Sequence, residues 1–251
     1  MLDRDVFLRP IAHRGLHDAT GERVENTAPA FAAAIAAGYG IECDLRPASD
    51  GTPFVFHDAM FDRLVDSTGP IAACAPDTIS GLRYRGQAAH ILAYRELLEQ
   101  VGGRVPLLVE IKSDWDIPDP RFLKAIAAQS MAYQGPLALM SFDPAVIIAM
   151  KTLAPELPRG IVSGVYEGHH WWPDQIDKDR AFRLTHCLEA GPAEPSFIAY
   201  DVDALPTPVM RFAREVMRVP LFTWTVRTAE QLRRAATWAD APIFEDCTPD
   251  L

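Results

Sequence analysis

The stretch "GIECDLR", residues Gly40–Arg46, begins apolar and turns abruptly acidic. Read as a strand, it sends Glu42 and Asp44 to one face and Cys43 to the other, because strand side chains alternate. The same arrangement recurs along the chain, with an apolar run that ends in polar residues. "FLRPIAH" ends on His13, with Arg14 following, and "VPLLVEIK" ends on Glu110 and Lys112. "VPLFTWTV" has Trp224 near its end, and "APIFED" closes on Glu245 and Asp246. Between these runs lie helical segments. "TAPAFAAAIAAG" has Asn26-Thr27 as its cap, Pro29 in its first turn and Gly38 as its stop. "RELLEQVGG", "DPRFLKAIAAQSM", "DPAVIIAMKTLA", "PTPVMRFAREVM" and "TAEQLRRAATWA" follow in turn. Strand runs also occur at "PLALMSF", "PRGIVSG" and "SFIAYDVD", the last preceded by a loop-rich stretch. Eight strand positions alternating with helices are the pattern of parallel βα units. "AHRGLHD" after the first strand is neither G-x-G-x-x-G nor a phosphate-binding P-loop, which argues against a doubly wound sheet. Eight units in 251 residues predict an α/β fold, a (β/α)8 TIM barrel.

Composition narrows the function. About half of the residues are apolar (49%), enough for one large core. A net charge of −10 argues against a nucleic-acid surface. No stretch approaches the roughly 18 uncharged apolar residues of a membrane span, and the charged start "MLDRDVFLRP" lacks the apolar core of a signal peptide. Cys43, Cys74, Cys187 and Cys247 form no C-x-x-C pair and read as reduced thiols in a cytoplasmic protein.

In such a barrel the rim at the strands' C-terminal ends carries the chemistry. Glu42, Asp44 and Glu110 come from the second and third strands at one level. Unpaired, they would raise one another's pKa values. One divalent cation resolves that conflict, and all-oxygen ligation suits Mg2+ or Ca2+, with Mn2+ a further candidate. His13 and His57 sit beside this trio, and a histidine pair can hold one neutral base and one charged acid at neutral pH. Arg14 and Lys112 supply cations for an anionic substrate, and both suit phosphate. Displacement at phosphorus is the chemistry that uses all of these groups.

The motifs "IAHRG", "VENTAPAF", "IECDL", "SDGTPFVFHD", "LLVEIK", "SFDPAVI", "FTWTV" and the closing "EDCTPD" together resemble the glycerophosphodiester phosphodiesterase family, metal-dependent TIM-barrel enzymes of glycerol and lipid metabolism. The resemblance covers nearly the whole chain, with the motifs in the family's order. It implies hydrolysis of a small glycerophosphodiester to sn-glycerol 3-phosphate and an alcohol. By position, His13 and His57 match the general acid/base pair, and Glu42, Asp44 and Glu110 match the metal ligands. Arg14 and Lys112 match the phosphate contacts. Glu25 and Asn26, in the E-N-T motif, fall near the substrate glycerol and the metal shell, and Trp224 against the substrate.

Some features depart from the family. Val24 replaces the usual proline before E-N-T. A short insertion is expected after the second strand, over residues 59–92 of a single domain 1–251, and the eighth helix is expected to be incomplete. N-terminal residues or a partner chain are candidates to cover that flank, which leaves a homodimer open. "YEGHHWWPDQ", residues 166–175, is expected on the rim, with Trp171 and Trp172 as local packing or a wall for the leaving alcohol. His169 and His170 are weaker candidates for a second metal. Two alternatives stand beside the main reading: phospholipase D-type hydrolysis of lysophospholipids or sphingomyelin on the same barrel, and a non-catalytic binding barrel.

Overall fold

The computed structural model describes residues 1–18, 20–116, 119–166 and 176–250. Its strands are β1 (Ile11–Ala12), β2 (Gly40–Pro47), β3 (Pro53–Val55), β4 (Leu107–Ile111), β5 (Leu137–Ser141), β6 (Arg159–Ser163), β7 (Phe197–Asp201), β8 (Leu221–Val226) and β9 (Ala241–Phe244). Eight of these run parallel and close on themselves. The two-residue β1 pairs with β2 on one side (Ile11 opposite Gly40) and with β9 on the other (Ile11 opposite Ile243). β3 stands outside this ring, antiparallel to β2, with Leu45 opposite Val55. The expected barrel is therefore present, with "PFVF" as an added edge strand.

The helices are α1 (Arg4–Phe7), α2 (Ala28–Ala37), α3 (Pro76–Gly81), α4 (Tyr94–Val101), α5 (Pro120–Ala132), α6 (Pro144–Leu153), α7 (Lys178–Thr185), α8 (Pro208–Arg211, continued by a π turn over Phe212–Val216) and α9 (Ala229–Trp238). α2 ends as read: Gly38 adopts a left-handed conformation with φ 79° that costs glycine little. Its cap differs, because Thr27 Oγ1 donates to the Val24 carbonyl instead of capping the helix. α7 lies within the stretch read as loop-rich. It is capped by Asp177 and is short and mostly polar, burying only Ala181 and Leu184 and leaving Phe182 exposed. The described residues after β9 form no helix. There Tyr39 donates its hydroxyl to the Pro249 carbonyl, so this end of the chain is tied back to the β2 side of the barrel.

Two apolar layers result. Outward-facing Cys43, Val109, Leu139 and Ile161 pack against the helices, as expected for Cys43. Inward-facing Leu108, Ala138, Met140, Val162, Phe197 and Phe222 fill the barrel interior. Leu2 and Phe7 join that interior cluster from the side where the chain enters β1, so the N-terminal helix plugs the barrel rather than covering its flank. Residues 59–92 pack Phe61, Ile71, Ile79 and Tyr84 against Phe54 and Phe56 in a satellite core. The interior is thus filled from the N-terminal end, and the opposite rim is left for polar groups.

Candidate active site

The first βα turn builds one wall of the site. Arg14 and Gly15 are both left-handed, with φ 53° and 80°. A Cβ on Gly15 would lie 2.9 Å from Phe31 and 3.0 Å from Ala30, so glycine is required for this close turn. The turn aims the Arg14 N–H at Glu42 Oε2 (3.0 Å) and sends the guanidinium to Glu25 (2.7 Å) and Asp44 (3.3 Å). Asn26, also left-handed at φ 57°, donates its side-chain amide to Asp44 Oδ2 at 2.8 Å.

β2 and β4 carry the acidic trio. Asp44 and Glu110 are opposite one another in the parallel register, and Glu42 lies two residues before Asp44. One oxygen of each carboxylate lies within 4.8 Å of the others. All three are buried, and Lys112 Nζ reaches Glu110 (2.6 Å) and Asp44 (2.8 Å). Burial pushes the Glu42 carboxyl well above its usual range, and the charges of Asp44 and Glu110 push it the same way. Burial opposes ionisation of Asp44 too, but Lys112, His57 and Arg14 outweigh it and hold that carboxyl well below its usual range. Glu42 Oε1 is buried without a hydrogen bond among the described residues. Three buried carboxylates facing two cations, with one oxygen left over, fit a divalent hard ion. Glu42, Asp44 and Glu110 are the residues that would hold it.

The two histidines line the same cavity of about 370 Å3, together with Arg14, Glu42, Glu110, Lys112 and Trp224. His13 is buried. Its Nδ1 bonds Glu245 Oε2, and its Nε2 stands 3.9 Å from Glu42. Burial pushes the His13 pKa down, with the hydrogen bond to Glu245 opposing. His57 is more open, and its Nδ1 meets Asp58 Oδ1 at 2.8 Å. Trp224 stacks edge-on against Phe142, with centroids 5.2 Å apart. Glu25 and Asn26 lie behind the cavity wall. Glu25 is held by Arg14 and Arg63, and Asn26 by Asp44. Residues 167–175, with Trp171, Trp172, His169 and His170, lie outside the described residues.

Several further residues belong to this constellation. Glu245 accepts from His13 and from Arg227 Nε (2.6 Å), and His17 Nε2 is 3.4 Å away. Arg63 donates to both Asp58 (2.6 Å) and Glu25 (2.7 and 2.8 Å). Arg46 and Arg227 add cations to the cavity lining. The "HD" dipeptide and the "FED" strand end mark Asp58 and Glu245 in the sequence. Nothing local marks Arg63, whose partners are 5 and 38 residues away.

A model of the glycerophosphoryl diester phosphodiesterase family matches residues 13–248, almost the whole chain. The chain belongs to that family. It is accordingly an enzyme of the phosphodiesterase class. A comparison with curated proteins gave no significant match. Solved structures with the same fold include an Oleispira antarctica phosphodiesterase in complex with the product sn-glycerol 3-phosphate, at 20% identity and TM-score 0.72, covering 95% of this chain and 92% of that one. The glycerophosphodiester phosphodiesterase of Thermotoga maritima is 22% identical with TM-score 0.70, covering 94% and 93%. That of Agrobacterium tumefaciens is 21% identical with TM-score 0.68, covering 95% and 96%. No helix among the described residues is long and apolar enough to cross a membrane.

Proposed function

We propose that this phosphodiesterase hydrolyses small glycerophosphodiesters to sn-glycerol 3-phosphate and an alcohol, with His13 and His57 as the acid/base pair. The observation that carries this reading is the shared cavity: both histidines open into it beside the buried acidic trio. His13 donates its Nδ1–H to Glu245, which leaves the Nε2 lone pair free to take the proton of the attacking hydroxyl. His57, held by Asp58, protonates the leaving alkoxide. Arg14 and Lys112 offset the charge that grows on the phosphoryl oxygens, and Arg46 and Arg227 extend that cationic lining. Glu42, Asp44 and Glu110 would hold a divalent ion, which would supply Lewis-acid charge to the phosphoryl group. Trp224 and Phe142 give the organic part of the substrate an apolar wall. A cavity of about 370 Å3 suits a headgroup-sized diester better than a lysophospholipid. We infer as well that residues 1–251 work as one domain, because Arg63 of the 59–92 insertion holds Asp58, the partner of His57, and Glu25, the partner of Arg14.

The test follows glycerol 3-phosphate release from glycerophosphocholine and glycerophosphoethanolamine. Chelation with EDTA is expected to stop turnover, and Mg2+, Ca2+ or Mn2+ to restore it. His13→Ala and His57→Ala should each lose about 10²–10⁴ in kcat. Full turnover in EDTA, or by either alanine variant, would sink the proposal. Turnover of lysophospholipids but of neither diester would transfer it to the lipid reading.

A further inference from the structure

Beside the acidic trio lies a second group of metal-ligating side chains of different chemistry. One ligand atom each from His13, His17 and Glu245 lies within 4.8 Å of the others. The left-handed Arg14-Gly15 turn doubles the chain back, so that His17 stands next to the strand end carrying Glu245. His17 Nε2 is buried, has no hydrogen bond among the described residues, and lies 3.4 Å from Glu245 Oε2. Ligand atoms on a tetrahedral ion with bonds of about 2.0–2.1 Å sit about 3.3 Å apart, so this pair is already at ligating separation. The other Glu245 oxygen is held by Arg227 Nε at 2.6 Å, an outer partner of the sort that orients a ligating carboxylate.

We propose that His13, His17 and Glu245 form a binding site for a zinc-type divalent ion, and that its occupancy switches the enzyme off. Two imidazoles and one carboxylate suit zinc, whereas the all-oxygen trio suits Mg2+ or Ca2+, so the two neighbouring sites select different metals. Without zinc, His13 Nδ1–H donates to Glu245 and Nε2 carries the lone pair. Zinc on Nδ1 takes the place of that proton. The neutral ring then holds its proton on Nε2 and loses the lone pair that faces the cavity. The switching half of this proposal rests on the acid/base role given to His13; the binding half does not.

The test is calorimetric titration of the whole chain with Zn2+ at saturating Mg2+, which occupies the acidic trio. One Zn2+ per chain is expected. His17→Ala and the milder His17→Asn should weaken it about tenfold or more, whereas Glu42→Gln leaves it in place. Inhibition of diester hydrolysis by Zn2+, each variant referred to its own zinc-free rate, should shift by the same factor. Equal zinc affinity in wild type and both His17 variants, or zinc lost with Glu42→Gln, would overturn the site. Zinc bound through His17 without inhibition would overturn the switch. His17-dependent binding in a protein that turns over no diester would uphold the site and count against the proposed hydrolysis alone.

Discussion

At the scale of single residues, the site depends on how each reactive group is held. Glu245 faces the Nδ1 side of His13, sets its tautomer and is itself anchored by Arg227. Glu245→Gln keeps the shape but removes the charge. Its kcat should fall about tenfold to hundredfold, within the range a general base supplies, with KM little changed. Steady-state kinetics on glycerophosphocholine would show this, and an equal loss in kcat/KM carried by KM alone would contradict it. Gly15 is the steric counterpart. With φ 80° and no space for a Cβ, Gly15→Ala should cost about 1–3 kcal/mol in urea unfolding and displace the Arg14 N–H from Glu42. Both residues lie at strand-end positions visible in the sequence. The role of Glu245 was not visible, because its histidine partner is 232 residues away.

At the scale of elements, the excursion between β2 and β4 does more than fill a connection. Through Arg63 it ties Asp58, and with it His57, to Glu25, and with it Arg14. Arg63→Ala should therefore lower kcat and raise KM together, since it loosens His57 and Arg14, the proposed acid/base residue and phosphate cation, at once. It should also change the acid stability of the fold. Burial opposes ionisation of Glu25 and Asp58, yet hydrogen bonds from Arg63 help to hold both carboxyls below their usual range. A depressed carboxyl stabilises the fold fully above its unfolded pKa, about 3.9–4.3, and loses that contribution as pH falls further. The wild type should thus melt about 2–4 °C above Arg63→Ala at pH 6–7, a modest gap because Arg63 is half exposed. That gap should shrink below about pH 4, and a gap that widens in acid would refute the assignment. The excursion could be located in the sequence, but its arginine clamp could not, because salt bridges between turns leave no period. α7 escaped for a different reason: it is short and mostly polar, with only Ala181 and Leu184 buried.

At the scale of the whole molecule, the barrel separates stability from chemistry. Phe7 and Leu2 plug the interior from the strands' N-terminal side, and the polar groups occupy the other rim. Phe7→Ala should destabilise the protein by about 3–5 kcal/mol, with the rate per folded molecule unchanged, as read by urea unfolding beside the diester assay. Local pattern was enough for the alternation of strands and helices, for the burial of Cys43 and for the polar strand ends. These follow from periods of two and 3.6 residues, which any short window of sequence contains. Closure of the ring is different. It brings β1 against β9, and so His13 against Glu245 and His17 beside both. The pairing of β2 with β4, likewise far apart in sequence, sets Asp44 opposite Glu110, and Glu42 keeps a bare oxygen beside them. Which carboxylate orients, which binds a metal and which cation faces which anion are questions of long-range proximity. The sequence by itself determined the kinds of groups on the rim and the family to which they belong; only the closed barrel decided their pairings, because charges interact through space and not along the chain.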